Sequence, residues 1–106
     1  VRGSGLYSKI LYLQENSNPK TKDMAFIKRF EDIEAWQKGR HLCKEIREVT
    51  NIGDFQRDFS LKDQIRRSSG SIMDNIAEGF GRDGNREFIQ YLSCSKGSAN
   101  EVQSQL

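Results

Sequence analysis

The sequence predicts an all-α fold, an antiparallel up-and-down helical bundle. Three observations carry that expectation. A single proline stands among 106 residues, so helices can run long without the ring clash and lost N–H that break them. Apolar side chains recur every three or four residues in three separate stretches, the spacing of one helix face. Two of those stretches have centres made almost wholly of small residues, which let neighbouring helices approach closely. With 35 % hydrophobic and 30 % charged residues, the material for a core is limited. A chain this size forms one small domain that gains from tight packing or assembly.

Residues 1–23 differ from the rest. Gly3-Ser4-Gly5 opens them, Gln14 to Lys22 is polar, and Asn18-Pro19 is a turn signal. The expectation is a disordered or non-native leader, with the helical domain spanning 24–106. The leader also holds the charge excess. Of 17 basic and 15 acidic residues it takes four and two, leaving 13 of each in the domain. A domain without net positive charge binds nucleic acid through a local patch or not at all.

The first helix is expected over 33–50, with Asp32 as its N-cap. Its stripe is Ile33, Trp36, Cys43, Ile46 and Val49, widened by Leu42. Gly39 in its middle costs up to about 1 kcal/mol relative to alanine and points to a closely approaching helix. Asn51 to Phe59 reads as a loop, with Phe55 and Phe59 folded over the bundle end. The second helix is expected over 60–79, from a Ser60 cap to a left-handed Gly79 cap. Its stripe is Leu61, Ile65, Ile72, Ile76 and Phe80. The third is expected over 85–106, with Gly84 or Asn85 near its cap. Phe88, Leu92, Ser95, Ala99, Val102 and Leu106 follow a heptad spacing. Ser68 to Ser71 on the second helix and Ser93 to Ala99 on the third are expected to face each other.

The candidate sites are weighed against plainer roles. Gly79-Phe80-Gly81-Arg82-Asp83-Gly84 matches GxGxxG, but a dinucleotide fingerprint follows a strand and this run follows a helix, so it reads as an inter-helix turn. His41, the single histidine, lacks metal-ligand spacing around it. The serines of the second helix lack the strained elbow of an esterase. Cys43 and Cys94 read as buried free thiols. No catalytic, cofactor-binding or metal-ligating residue is assigned, and no small-molecule substrate is expected. No apolar run has the ~18 residues a membrane span needs, and the leader makes a poor signal peptide, so no membrane partner is expected and the location reads as cytoplasmic.

Two surface groupings remain. Arg66, Arg67, Arg82, Arg86 and Lys96 could form a basic patch that meets phosphates, with acidic neighbours opposing it. Arg67, Ser71, Asp74 and Glu78 share a polar face, and Glu78 can pair with Arg82. Arg66, Gly70, Met73 and Ala77 form a mixed, partly apolar face suited to contact between subunits.

Several runs resemble the bacterial four-helix-bundle proteins, also called 23S rRNA intervening-sequence proteins. They are Phe59 to Ser68 with its Gln64-Ile65-Arg66-Arg67, Ser71 to Phe80 with its Asn75-Ile76-Ala77-Glu78-Gly79, Glu87 to Leu92, and Lys96-Gly97-Ser98 followed by Glu101-Val102. Phe30 to Trp36 also fits. The resemblance implies a four-helix bundle whose fourth helix follows a segment like Gln105-Leu106. Three helices are therefore expected here, with the fourth missing or supplied in trans. It implies assembly and no enzyme activity. The implied assembly follows from a related accessory protein of diversity-generating retroelements, which looks like a pentameric barrel that binds nucleic acid and a reverse transcriptase. The resemblance thus offers a homo-oligomer, even a pentamer, and RNA, DNA or a reverse transcriptase as partners.

Overall fold

The computed structural model describes residues 27–82 and 84–106, together with Lys9 and Gln14. The other residues of the expected leader, 1–23, lie outside the described set. Among the described residues the chain is all-α, with no strand. A 3₁₀ turn at Phe30–Asp32 leads into α1 (Glu34–Val49). The one-turn α2 (Gly53–Arg57) follows, then the long α3 (Phe59–Phe80) and α4 (Asn85–Gln105).

The helix ends correct the sequence reading in detail. Ile33, not Asp32, is the N-cap of α1, because Asp32 is drawn into the preceding 3₁₀ turn. The expected 51–59 loop contains α2, entered through Gly53 at φ 61°, a conformation that suits glycine. The helix cap before α3 is Asp58, not Ser60. The Asp58 side chain accepts a hydrogen bond from the Leu61 N–H at 3.1 Å, satisfying one of the four free amides of the first turn. Gly79 is no left-handed cap. It lies within α3, which ends at Phe80 with Gly81 in ordinary helical conformation (φ −75°). Gly84, at φ 146°, starts α4.

α3 is the central element, packed against both α1 and α4. Gly39 of α1 lies beside Ile72 and Met73, while Arg66 reaches the α1 terminus at Thr50. On the other side Gly79 meets Tyr91 and Phe88, and Ser71 meets Ser98. In both pairs residue numbers fall on one helix as they rise on the other, so neighbours run antiparallel.

The core joins Leu42 and Ile46 of α1, Ile65, Ile72 and Ile76 of α3, and Phe88, Leu92, Ala99 and Val102 of α4. Each fully buried Leu or Ile contributes about 1.5–3 kcal/mol relative to exposure. The α4 heptad is borne out, with Leu106 half-buried at its end. The α1 stripe is rotated from expectation. Ala35, Gly39, Leu42 and Ile46 form its buried centre, whereas Ile33, Trp36 and Val49 flank it. Phe55 packs on the core as expected, but Phe59 is 74 % exposed because it begins α3 outside the bundle end.

The small-residue segments of α3 and α4 do face each other. The Ser95 hydroxyl donates to the Ile72 carbonyl at 2.9 Å, and the Ser98 hydroxyl lies 3.0 Å from that of Ser71. Ser68 donates to the Glu101 carboxylate at 3.1 Å. The close glycine contact is elsewhere: a Cβ on Gly79 would stand 2.5 Å from Tyr91 Cβ, whereas one on Gly70 or Gly97 would meet nothing within 4 Å.

Candidate functional site

The outer flank where α1 meets α3 gathers most of the distinctive surface chemistry. Arg40, Lys44 and Arg47 recur at helical spacing along one side of α1. With Cys43 of the same helix and Met73 of α3 they line an open groove of about 240 Å³. Arg47 continues into a second groove of about 300 Å³ with Asp63, Arg66 and Arg67. Five cations and one carboxylate thus line the two grooves. The Arg40 guanidinium lies over the Trp36 ring, 5.9 Å from its centre, which steadies it at the groove edge.

Arg66 has a role within the protomer. Its Nε donates to the Thr50 hydroxyl at 3.0 Å, and its Nη2 donates to Asn51 Oδ1 at 2.9 Å and the Arg47 carbonyl at 3.4 Å. Thr50 is fully buried and donates to the Ile46 carbonyl at 2.7 Å. A cation therefore sits at the carboxyl end of α1, where the helix dipole favours it, and ties α3 to that end. Arg67 has exposed surface beside it. Arg67 also borders a third groove of about 450 Å³ between α3 and α4, with Gln64, Ser68, Ser71, Ser98, Glu101 and Gln105.

The five cations expected as one basic patch do not converge. Arg66 and Arg67 join Arg47. Arg82 lies past the other end of α3, more than about 20 Å along the axis at 1.5 Å per residue. There it donates to Glu78 at 2.7 Å and to the Tyr91 hydroxyl at 3.0 Å. The Glu78 hydrogen bond, with Tyr91 beside it, raises the Arg82 pKa above its ordinary value. Arg86 stands exposed in the first turn of α4, and Lys96 is exposed further along it. The cations that do join Arg66 and Arg67 are Arg40, Lys44 and Arg47. Their spacing on α1 was the available signal, but the side of α1 that meets α3 was needed to use it.

Of the face proposed for subunit contact, Arg66, Gly70, Met73 and Ala77 are all half-buried along the α1 side of α3. The thiol expectation is only half met, since Cys43 is half-buried and Cys94 is exposed; neither is in a disulfide. His41 is exposed. Among the described residues, no cluster of three or more His, Cys, Asp or Glu side chains is placed to hold a metal ion. No helix among them is long and apolar enough to cross a membrane.

The fold and surface define an all-α protein of long antiparallel helices with polar and mixed grooves between them. Its sequence matches the 23S rRNA-intervening sequence protein family over residues 31–106, and the chain belongs to that family. Comparison with curated proteins and with solved structures gave no significant match.

Proposed function

We propose that the protein works by association rather than by chemistry, as a non-catalytic, oligomeric helical bundle of the cytoplasm that uses no cofactor, metal or small-molecule substrate. The observation that supports this best is the strip Gly70, Met73 and Ala77 on α3. It is half-buried within the protomer, a side chain at Gly70 would stand in open space, and Met73 lines an open groove. Arginine and methionine beside small residues suit an interface core. A domain of this size gains stability by burying such a strip against another copy. The test is solution molar mass for the wild type and Met73→Glu. A fall in mass with unchanged helical content supports the strip as the interface. Equal assembly in both places the contact elsewhere.

A second reading, binding of RNA or DNA as an accessory to a reverse transcriptase, draws on Arg40, Lys44, Arg47 and Arg67. These line the same flank, with Asp63 the acidic side chain among them. Arg82, Arg86 and Lys96 would add only separate contacts. Four cations on phosphates predict a log affinity against log salt slope of roughly −3 to −4. An RNA titration with no salt dependence would exclude this reading. Both readings use one flank, so assembly and polyanion binding should compete.

A further inference from the structure

The groove of about 450 Å³ between α3 and α4 carries unspent polar groups at matched levels on its two walls. Two hydrogen bonds fix the register across it. Ser71 lies against Ser98, and the Ser68 hydroxyl donates to the Glu101 carboxylate. Arg67, beside Ser68, therefore stands at the level of Glu101 on the opposite wall. Both side chains are exposed, yet among the described residues no ion pair joins them. One turn further along, the antiparallel run brings Gln64 of α3 opposite Gln105 of α4, both lining the groove. Gln105 Oε1 is buried and has no hydrogen-bond donor, which leaves an acceptor unsatisfied. The groove thus holds a cation and a carboxylate facing across one level, and an acceptor facing an amide across the next.

We propose that this groove is a self-complementary docking site for a second copy of the chain, related by a two-fold axis running along the groove. Such an axis lays α3 of one copy over α4 of the other without changing the level of any residue. Arg67 of each copy then faces Glu101 of the other, so the charge pair forms twice. Gln64 of each copy faces Gln105 of the other, and its amide supplies the donor that Gln105 Oε1 lacks. At the third level Ser71 and Ser98 are short enough to let the helices of the two copies come close. A purely acidic partner would meet Glu101 as a like charge, and a purely basic one would meet Arg67 so. A second copy, turned about this axis, satisfies both walls. The inference rests on the association reading in that copies associate, but it names a different surface. The groove lies on the α4 side of α3, whereas the strip through Met73 lies on the α1 side.

Analytical ultracentrifugation of the full chain tests this. Met73→Glu is present in every variant, so that the strip does not contribute. With an unaltered groove, this chain should form a dimer that dissociates to one protomer on dilution. Arg67→Glu and Glu101→Arg should each raise the dimer dissociation constant by roughly tenfold or more, because each reversal sets like charges together at two symmetry-related places. The combined swap should return the constant to within about threefold of its starting value, since the same pairs re-form with exchanged signs. The decisive arm mixes the two single-reversal chains. A heterodimer of them has opposite charges at both places, so the mixture should dimerise where neither chain does alone. This arm also shows that both variants are folded. A Met73→Glu chain that stays at one protomer throughout would overturn the groove contact and leave the strip untouched. Equal constants for the unaltered and reversed grooves, or a mixture no tighter than its components, would also overturn it. If the strip reading fails instead, Met73→Glu assembles as wild type does while the reversals and their rescue behave as stated.

Discussion

Replacing Gly79 with alanine should destabilise the bundle, whereas the same change at Gly97 within α4, outside the strip proposed for assembly, should stabilise it. Intrinsic propensity favours alanine over glycine in a helix by about 1 kcal/mol at both sites. Packing separates them. At Gly79 the new methyl would stand 2.5 Å from Tyr91 Cβ, 3.1 Å from Tyr91 Cγ and 3.2 Å from Phe88 Cδ1, where carbon atoms rest about 3.5–4.0 Å apart. Tyr91 Cβ is fixed to the α4 backbone, so rotamer change offers no relief. The helices must part by about 1 Å, against a core held along their whole length. Overpacking typically costs ~1–3 kcal/mol, and a clash with a backbone-anchored atom belongs at the upper end. The net effect at Gly79 is a loss of about 1–2 kcal/mol. At Gly97 nothing lies within 4 Å, and the gain is about 0.5–1 kcal/mol. Thermal unfolding followed by far-UV circular dichroism, at one protomer concentration, would show the difference. At ~4–8 °C per kcal/mol for a domain this size, a difference of about 1.5–3 kcal/mol should separate the variants in Tm by about 6–24 °C. Shifts of the same sign at both sites would refute the claim that α4 packs tightly against α3 at Gly79.

Arg66→Ala should cost about 1–2 kcal/mol in urea unfolding, because it strips the α1 terminus of its cation and leaves buried Thr50 without a donor; partial exposure keeps the loss toward the low end for charged hydrogen bonds. Arg66→Lys should recover little of it, since one ammonium on a flexible stem replaces a planar fork reaching Thr50, Asn51 and the Arg47 carbonyl. Asp58→Ala should cost about 1 kcal/mol through loss of the α3 cap, and Asp58→Ser should restore most of it. Ser95→Ala removes the hydroxyl bonded to the Ile72 carbonyl and should cost about 0.5–1.5 kcal/mol, read by the same denaturation.

The fold was largely legible because its signal is periodic. The α4 seam from Phe88 to Val102 and the α3 stripe of Ile65, Ile72 and Ile76 each repeat often enough to fix a buried face. α1 was read less well. Trp36 and Cys43 drew the stripe toward one edge, whereas small Ala35 and Gly39, with weak hydropathy signals, lie at the centre because α3 comes close there. Gly79 looked like a helix stop, and its burial against Tyr91 depends on a residue twelve positions away. The candidate surface was harder still. Arg66 and Arg67 stood out as a pair, but grouping them with Arg40, Lys44 and Arg47 requires the α1–α3 register. Nothing local foretold that Arg66 would close the end of α1. The leader's polar composition likewise concealed the bonds of Lys9 to Glu45 and of Gln14 to Asn100 and Gln103, partners that lie 36 or more positions away.

The central claim is that this chain acts through contact between copies. Its most direct test is the solution molar mass of the untagged full chain, by light scattering across a wide concentration range. The account predicts a mass that is a whole multiple of the 12.2 kDa protomer, falling toward one protomer on dilution or with Met73→Glu. A mass of one protomer at every concentration would contradict it.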